Sequence, residues 1–216
     1  MMGENIDPIE LAKRTTKDVY ERQARHWDEI RSNALHEKPW LDRFASALPA
    51  SGRLLDLGCG SGIPVAGYFL EKGYDLVGVD YSPTMIDLAR QHFPQAQWKV
   101  QDITKLKLNG QFDGIYSWDG FFHLSVAQQR DVIPSLCQST KSGGSIMLTI
   151  GTGEGEVTGT VGGETVYHAS LDPKEYKELF KEYGFADVQY VSKDPESLGR
   201  SVLLASGKRA QIYPVL

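Results

Sequence analysis

Between Arg53 and Gly62 the chain reads Arg-Leu-Leu-Asp-Leu-Gly-Cys-Gly-Ser-Gly. A short apolar run that gives way to glycine at every second position predicts a buried strand, Arg53–Leu57, feeding a tight turn. A helix over 62–72, stopped by Gly73, follows it. Glycines in such a turn let backbone N–H groups approach a ligand closely, and a helix start favours its negative end. Spacing narrows the ligand. A dinucleotide-binding turn wants a small residue three positions after its second glycine, and here that position is Ile63, followed by Pro64. No lysine completes a nucleoside-triphosphate loop. The turn therefore points to a ligand with a carboxylate or an amine to bind and no pyrophosphate.

The alternation of strand and helix continues downstream. Strands are expected at Leu76–Asp80, Trp98–Asp102, Phe112–Trp118 and Ser145–Ile150. Helices are expected after the Ser82-Pro83 cap and over 125–140. This order predicts an α/β fold with a mostly parallel sheet covered on both faces, a doubly wound arrangement. The segments 186–191 and 201–205 have no helix between them and read as an antiparallel hairpin at the sheet edge. Two helices, 15–30 and 40–48, precede the first strand, the second stopped by Pro49. Residues 151–163 crowd glycine with Thr and Glu, which predicts a long loop or a weak hairpin. Asp172-Pro173 caps a helix that Gly184 ends. The tail, 207–216, reads as mobile.

A chain of 216 residues suits one domain with a sizeable core. Only Cys59 and Cys137 are present, which excludes a disulfide-stapled secreted fold and leaves no metal-ligand spacing. The formal charge of -5, with no run of Lys and Arg, argues against a nucleic-acid partner. No apolar run approaches the roughly 20 residues that span a bilayer. Met1–Glu10 carries no signal-peptide pattern, so a cytoplasmic location is expected.

Three strand ends carry Asp56, Asp80 and Asp102. Ligands of open α/β sheets bind at that edge. A carboxylate at Asp80 suits both hydroxyls of a ribose, and one at Asp102, beside the Ile103 N–H, suits the exocyclic amine of a base.

These motifs, Asp56–Gly62, Val77–Asp80 and Gln101–Ile103, together with Phe112–Ser117 and Lys141–Gly144, resemble those of the class I S-adenosylmethionine-dependent methyltransferases. The resemblance covers roughly residues 15–206, and Tyr167–Pro173 is similar to a subgroup of small bacterial members. It implies a seven-stranded Rossmann-like sheet whose last strand is antiparallel, and S-adenosyl-L-methionine as cofactor, with S-adenosyl-L-homocysteine as product. It implies that Gly58 and Gly60 line the methionine part, that Asp80 holds the ribose and that Asp102 and Ile103 flank the adenine. Ser117 is expected near the sulfonium, and Asp56, Cys59, Tyr81 and Met85 complete the cofactor set. The whole chain, 1–216, is expected to be one domain. Residues 1–50 form a helical lid, 51–206 the core with a lid insertion at 151–170, and 207–216 the tail.

An activated methyl donor leaves the protein to position the acceptor and take up its proton. His123, with an unperturbed pKa of roughly 6.5, and Asp119 follow the fourth strand and are candidate bases. Tyr167 and His168 are candidates from beyond the glycine-rich segment. Tyr20 and Trp27 offer ring faces to a sulfonium. Cys59 occupies a slot that small residues commonly fill. The leading expectation is methylation of a small molecule on O or N. The alternatives are a non-catalytic cofactor sensor, a nicotinamide- or flavin-linked oxidoreductase, and a nucleic-acid methyltransferase. The sequence leaves the oligomeric state open.

Overall fold

A computed structural model describes residues 6–31, 34–106, 108 and 110–210. The first helix, α1, is Pro8–Ile30 and begins well before Thr15. The reason is local: the Asp7 carboxylate accepts from the Ile9 N–H and Pro8 occupies the first turn. Helix α2, Lys38–Ser46, follows.

Strand β1 is Arg53–Leu57 and β2 is Asp75–Asp80. The helix between them, α3, is Val65–Glu71. It starts later than Gly62 because Gly58, Gly60 and Gly62 all take positive φ and spend those residues on the turn. Helix α4, Pro83–His92, has the expected cap, with Ser82 Oγ accepting from the Met85 N–H. Strand β3 is Gln97–Val100, so Asp102 lies beyond it and caps a short turn by accepting from the Thr104 N–H. Strand β4, Phe112–Ser117, helix α5, Val126–Gln138, and strand β5, Thr140–Ile150, complete the parallel part.

The main sheet has seven strands. Its last members are β8, Phe185–Asp194, and β9, Arg200–Lys208, preceded by α6, Pro173–Glu182. The order is β3-β2-β1-β4-β5-β9-β8, with β9 antiparallel to both of its neighbours. Alternate residues of each strand feed opposite faces. Leu55, Ile115 and Ile146 pack under α5 and α6, while Leu54, Tyr116 and Met147 pack against α2, α3 and α4. Gly207 and Lys208 belong to β9 and not to a tail. Lys208 is buried because its ammonium donates to the carbonyls of Cys137 and Thr140 at the end of α5. Residues 211–216, the rest of the expected tail, lie outside the described residues, as do 1–5 of the N-terminal segment.

The glycine-rich segment is a regular hairpin. Strands β6, Gly155–Val161, and β7, Glu164–Ser170, pair through a two-residue Gly162-Gly163 turn in which both glycines have positive φ. The hairpin forms its own small sheet. It is held by α1, where Val19 packs on Val161 and Val166, and Ala12 packs on Tyr167 and Ala169.

Candidate active site

The C-terminal ends of β1, β2 and β4 frame a cleft of about 230 Å³ roofed by α1. Its floor is the glycine turn. The N–H groups of Gly58 and Cys59 both donate to the Val79 carbonyl, at 2.8 and 3.1 Å, tying the turn to the end of β2. Asp80 stands beside it and accepts from the Gly60 N–H and the Ser82 N–H, each at 2.9 Å. Burial raises its carboxyl above the ordinary range, while those two backbone donors pull it back. Each oxygen keeps acceptor capacity beyond the bond it makes. A side chain at Gly58 would meet the Gly120 backbone at 3.2 Å and would have to adopt a left-handed φ of 70°, so glycine is favoured there.

Asp56 lines the same cleft but is 4% exposed. Burial pushes its carboxyl up to about 8, although it accepts from the Tyr116 hydroxyl at 2.9 Å. Cys59 also lines the floor, and desolvation pushes its thiol well up, which disfavours the thiolate. Tyr81, Met85, Asp102 and Ile103 form the end of the cleft under β2 and β3.

The roof is attached through polar contacts. Glu21 of α1 accepts from the hydroxyls of Ser82 and Thr84, the latter at 2.6 Å. Lys17 forms an ion pair with Asp102, and Asp28 meets His92 at 3.1 Å. Tyr20 and Trp27 both face into the cleft, their rings edge to face with centroids 6.4 Å apart.

His123 closes the wall beyond β4. Its Nδ1 lies 2.8 Å from the Tyr167 carbonyl oxygen, which only accepts, so Nδ1 carries the proton. Its Nε2, 2.9 Å from Tyr20 Oη, is then the acceptor of the Tyr20 hydroxyl proton. Burial lowers His123 to about 4, so the imidazole is neutral near pH 7. Asp119 lies nearby in a left-handed conformation, φ 58°, with its N–H bonded to Thr149 Oγ1 at 2.8 Å. Its carboxylate is taken by Arg200, at 2.7 and 3.2 Å, and faces Arg31 at 3.7 Å. That doubly paired carboxylate orients arginines and is not a free base.

Three expected residues do not line the cleft. Ser117 is buried and its hydroxyl donates across the sheet to the Leu57 carbonyl at 2.6 Å. Tyr167 is 1% exposed, and its phenol donates to Glu156 at 2.6 Å, so it contributes its backbone and not its side chain. His168 packs over Gly159 and against Phe122 and His123, with ring centroids 4.8 and 5.0 Å away. Burial lowers it too. Sequence reasoning missed Arg31, which lines the cleft, and Glu21 and Lys17, which fasten its roof. Arg31 had one local signal: it lies four residues after Trp27, on the same side of the helix, and its guanidinium stands 5.9 Å from that ring. Among the described residues no group of His, Cys, Asp and Glu is arranged to hold a metal ion.

Comparison with known proteins finds methyltransferases in sequence and in fold. A family model described as a methyltransferase domain matches residues 54–144. The Bacillus subtilis (strain 168) protein YqeM, named as a methyltransferase, is 33% identical over 101 residues, 45% of this chain and 40% of that protein. The ubiquinone biosynthesis O-methyltransferase of Acinetobacter baylyi is 28% identical over 159 residues, 67% of this chain and 63% of the relative. The chain thus spans less than two thirds of the length of either relative. Among solved structures, the 1,6-didemethyltoxoflavin-N1-methyltransferase of Burkholderia thailandensis superposes with a TM-score of 0.69 at 18% identity, covering 97% of this chain and 94% of that one.

Proposed function

We propose that this chain, a class I S-adenosylmethionine-dependent methyltransferase by fold and sequence motifs, transfers a methyl group to oxygen or nitrogen of a small molecule. The observation that carries the reading is Asp80. It stands at the end of β2, anchored by two backbone N–H groups, with acceptor capacity turned to a cleft floored by a glycine turn. That is the arrangement a ribose with two free hydroxyls requires.

The remaining residues fit the rest of the cofactor. Tyr81, Met85, Asp102 and Ile103 would hold the adenine. Gly58, Cys59 and Gly60, whose N–H groups are taken by Val79 and Asp80, would line the methionine part with Asp56. Arg31 offers its guanidinium to the carboxylate, and Tyr20 and Trp27 present ring π-systems to a sulfonium, worth roughly 0.5–2 kcal/mol. Bound there, the cofactor supplies a methyl group that is already activated. The protein's part is to hold the acceptor, exclude water and take a proton. The Tyr20 hydroxyl passes its proton to His123 Nε2 as it receives the acceptor's. A base held as low as about 4 suits acceptors that release a proton readily, such as phenols and heteroaromatic N–H groups, better than alcohols.

We read α1 and the β6–β7 hairpin as a lid on a single domain; α2, expected to belong to it, instead buries Trp40, Leu41 and Phe44 in the core against β1, β4 and β5. A roofed cleft of about 230 Å³ favours a small acceptor over a folded protein or a duplex. The relatives named for O- and N-methylation of small molecules support the same reading. Among the described residues no helix is long and apolar enough to cross a membrane. We assign the activity to the cytoplasm, in keeping with the unpaired Cys59 and Cys137.

The test is transfer of label from methyl-labelled S-adenosylmethionine to a panel of phenols, heteroaromatic amines and aliphatic amines. Label in one panel member, abolished by Tyr20→Phe with His123→Gln, supports the reading. Tight cofactor binding with no labelled product would favour a cofactor sensor instead.

A further inference from the structure

The outer edge of β7 is where the lid meets the candidate base. At Tyr167, which faces Thr158 across the hairpin, both backbone groups turn away from β6. The N–H donates to Thr16 Oγ1 at 2.7 Å, and the carbonyl accepts from His123 Nδ1 at 2.8 Å. Thr16 is itself fixed, since its hydroxyl donates to the Ala12 carbonyl at 2.7 Å, leaving its lone pairs for Tyr167. Tyr20, one helical turn after Thr16, donates to the other nitrogen of the same imidazole at 2.9 Å. Helix α1 therefore touches His123 twice, once through Tyr20 and once through the Tyr167 backbone, and the links close a ring.

We propose that Thr16 is a positioning residue: by holding the β7 edge against α1 it sets the Tyr167 carbonyl on His123 Nδ1, and so presents the Nε2 lone pair toward the cleft only when the lid helix is seated. The proposal rests on the reading of His123 as proton acceptor, but its structural core is independent of turnover. Thr16 is 6% exposed and its bond to Tyr167 is buried, so losing the hydroxyl leaves the Tyr167 N–H without its protein partner. A neutral imidazole has two tautomers of similar energy in the absence of a fixed partner, and the hydrogen bond made by one nitrogen decides which carries the proton. Without the Thr16 contact the Tyr167 peptide loses its fixed point on α1, although apolar packing still seats the hairpin, and its carbonyl selects Nδ1–H less strictly. The Tyr20 hydroxyl then faces an N–H in part of the population and loses its acceptor.

The experiment is 15N NMR of the imidazoles at pH 7 in the full chain, with His123 assigned by its loss in His123→Gln. The wild type is expected to show His123 with a protonated Nδ1 and a bare Nε2. Thr16→Val is expected to move both nitrogens toward averaged shifts, and Thr16→Ser to restore the wild-type pattern. Thr16→Cys, which keeps the volume with a weaker acceptor, should fall between them and serves if Thr16→Val does not fold. A His123 pattern unchanged in Thr16→Val or Thr16→Cys overturns the proposal, as does a wild type protonated on Nε2. If the patterns behave as stated while no acceptor is ever methylated, the positioning role stands and the methyltransfer reading falls.

Discussion

Tyr20 Oη lies 2.9 Å from His123 Nε2, and because His123 Nδ1 is committed to the Tyr167 carbonyl, the hydroxyl proton points at the imidazole. The phenol oxygen is left to accept from whatever enters the cleft. His123→Gln keeps a polar side chain but no basic nitrogen. It is expected to lower kcat by about 10²- to 10⁴-fold, with cofactor affinity changed by no more than about threefold. Steady-state kinetics with the acceptor found by labelling, alongside a binding titration, checks this. An equal loss in binding would make His123 a cofactor residue.

Two of the perturbed groups in the cleft, His123 and Asp56, predict opposite pH trends in stability. His123, at about 4 when folded against roughly 6.5 unfolded, stays neutral while the unfolded chain takes up a proton. It therefore costs stability as pH falls from about 6.5 to 4, by about 3 kcal/mol in full. Asp56, raised to about 8, keeps its proton when folded, so its contribution is present below about 4 and is lost as pH rises to 8. Relative to wild type, His123→Gln should gain stability as the pH drops from 6.5 to 4. Asp56→Asn should gain it as the pH rises from 4 to 8. Urea unfolding across that range measures both, and differences independent of pH would contradict the assignments.

Much of the framework was legible because local chemistry and tertiary demand agree. Leu54, Leu55 and Leu57, followed at once by a glycine turn, form the apolar run of a buried strand, and Ser82-Pro83 is a favoured helix start. The start of α1 at Pro8 was missed because its apolar stripe is sparse, although Asp7-Pro8 carried the capping signal. The hairpin at 155–170 was ambiguous because its glycines give no period, and α1 supplies the apolar surface that fixes it. Site geometry was harder to read. Asp119 looked like a free carboxylate because Arg31 and Arg200 come from distant parts of the chain. Ser117 looked like a cleft residue because its one-residue offset along β4, which turns it to Leu57, leaves no mark in the sequence.

A stability prediction follows from Trp40. Its indole Nε1–H donates to Asp194 Oδ2 at 2.6 Å, with Trp40 fully buried and Asp194 only 7% exposed. This bond joins α2 to the turn that leads into β9 and Arg200. Trp40→Phe leaves the carboxylate without that donor and opens a cavity, so it should cost about 2–4 kcal/mol in chemical denaturation. A loss below about 0.5 kcal/mol would mean that water replaces the indole.

The lid should be the least protected structured part of the chain. Helix α1 is held by Glu21, Lys17 and Asp28 through polar contacts at its surface, whereas β1 and β4 lie in the core. Amides of α1 and β6–β7 are expected to exchange faster than those of β1 and β4. They should slow on saturation with S-adenosylhomocysteine, while the core strands stay unchanged. Mass-spectrometric hydrogen exchange reads this, and an α1 indifferent to the ligand would rule out its role as a lid.

Everything functional rests on a ribose bound by Asp80, and calorimetric titration with S-adenosylhomocysteine tests that most directly. The wild type is expected to bind in about the micromolar range, and Asp80→Asn to bind at least about tenfold more weakly through loss of charge-assisted bonds to the sugar hydroxyls. Affinity unchanged in Asp80→Asn, or binding of NADH in place of S-adenosylhomocysteine, would contradict the account.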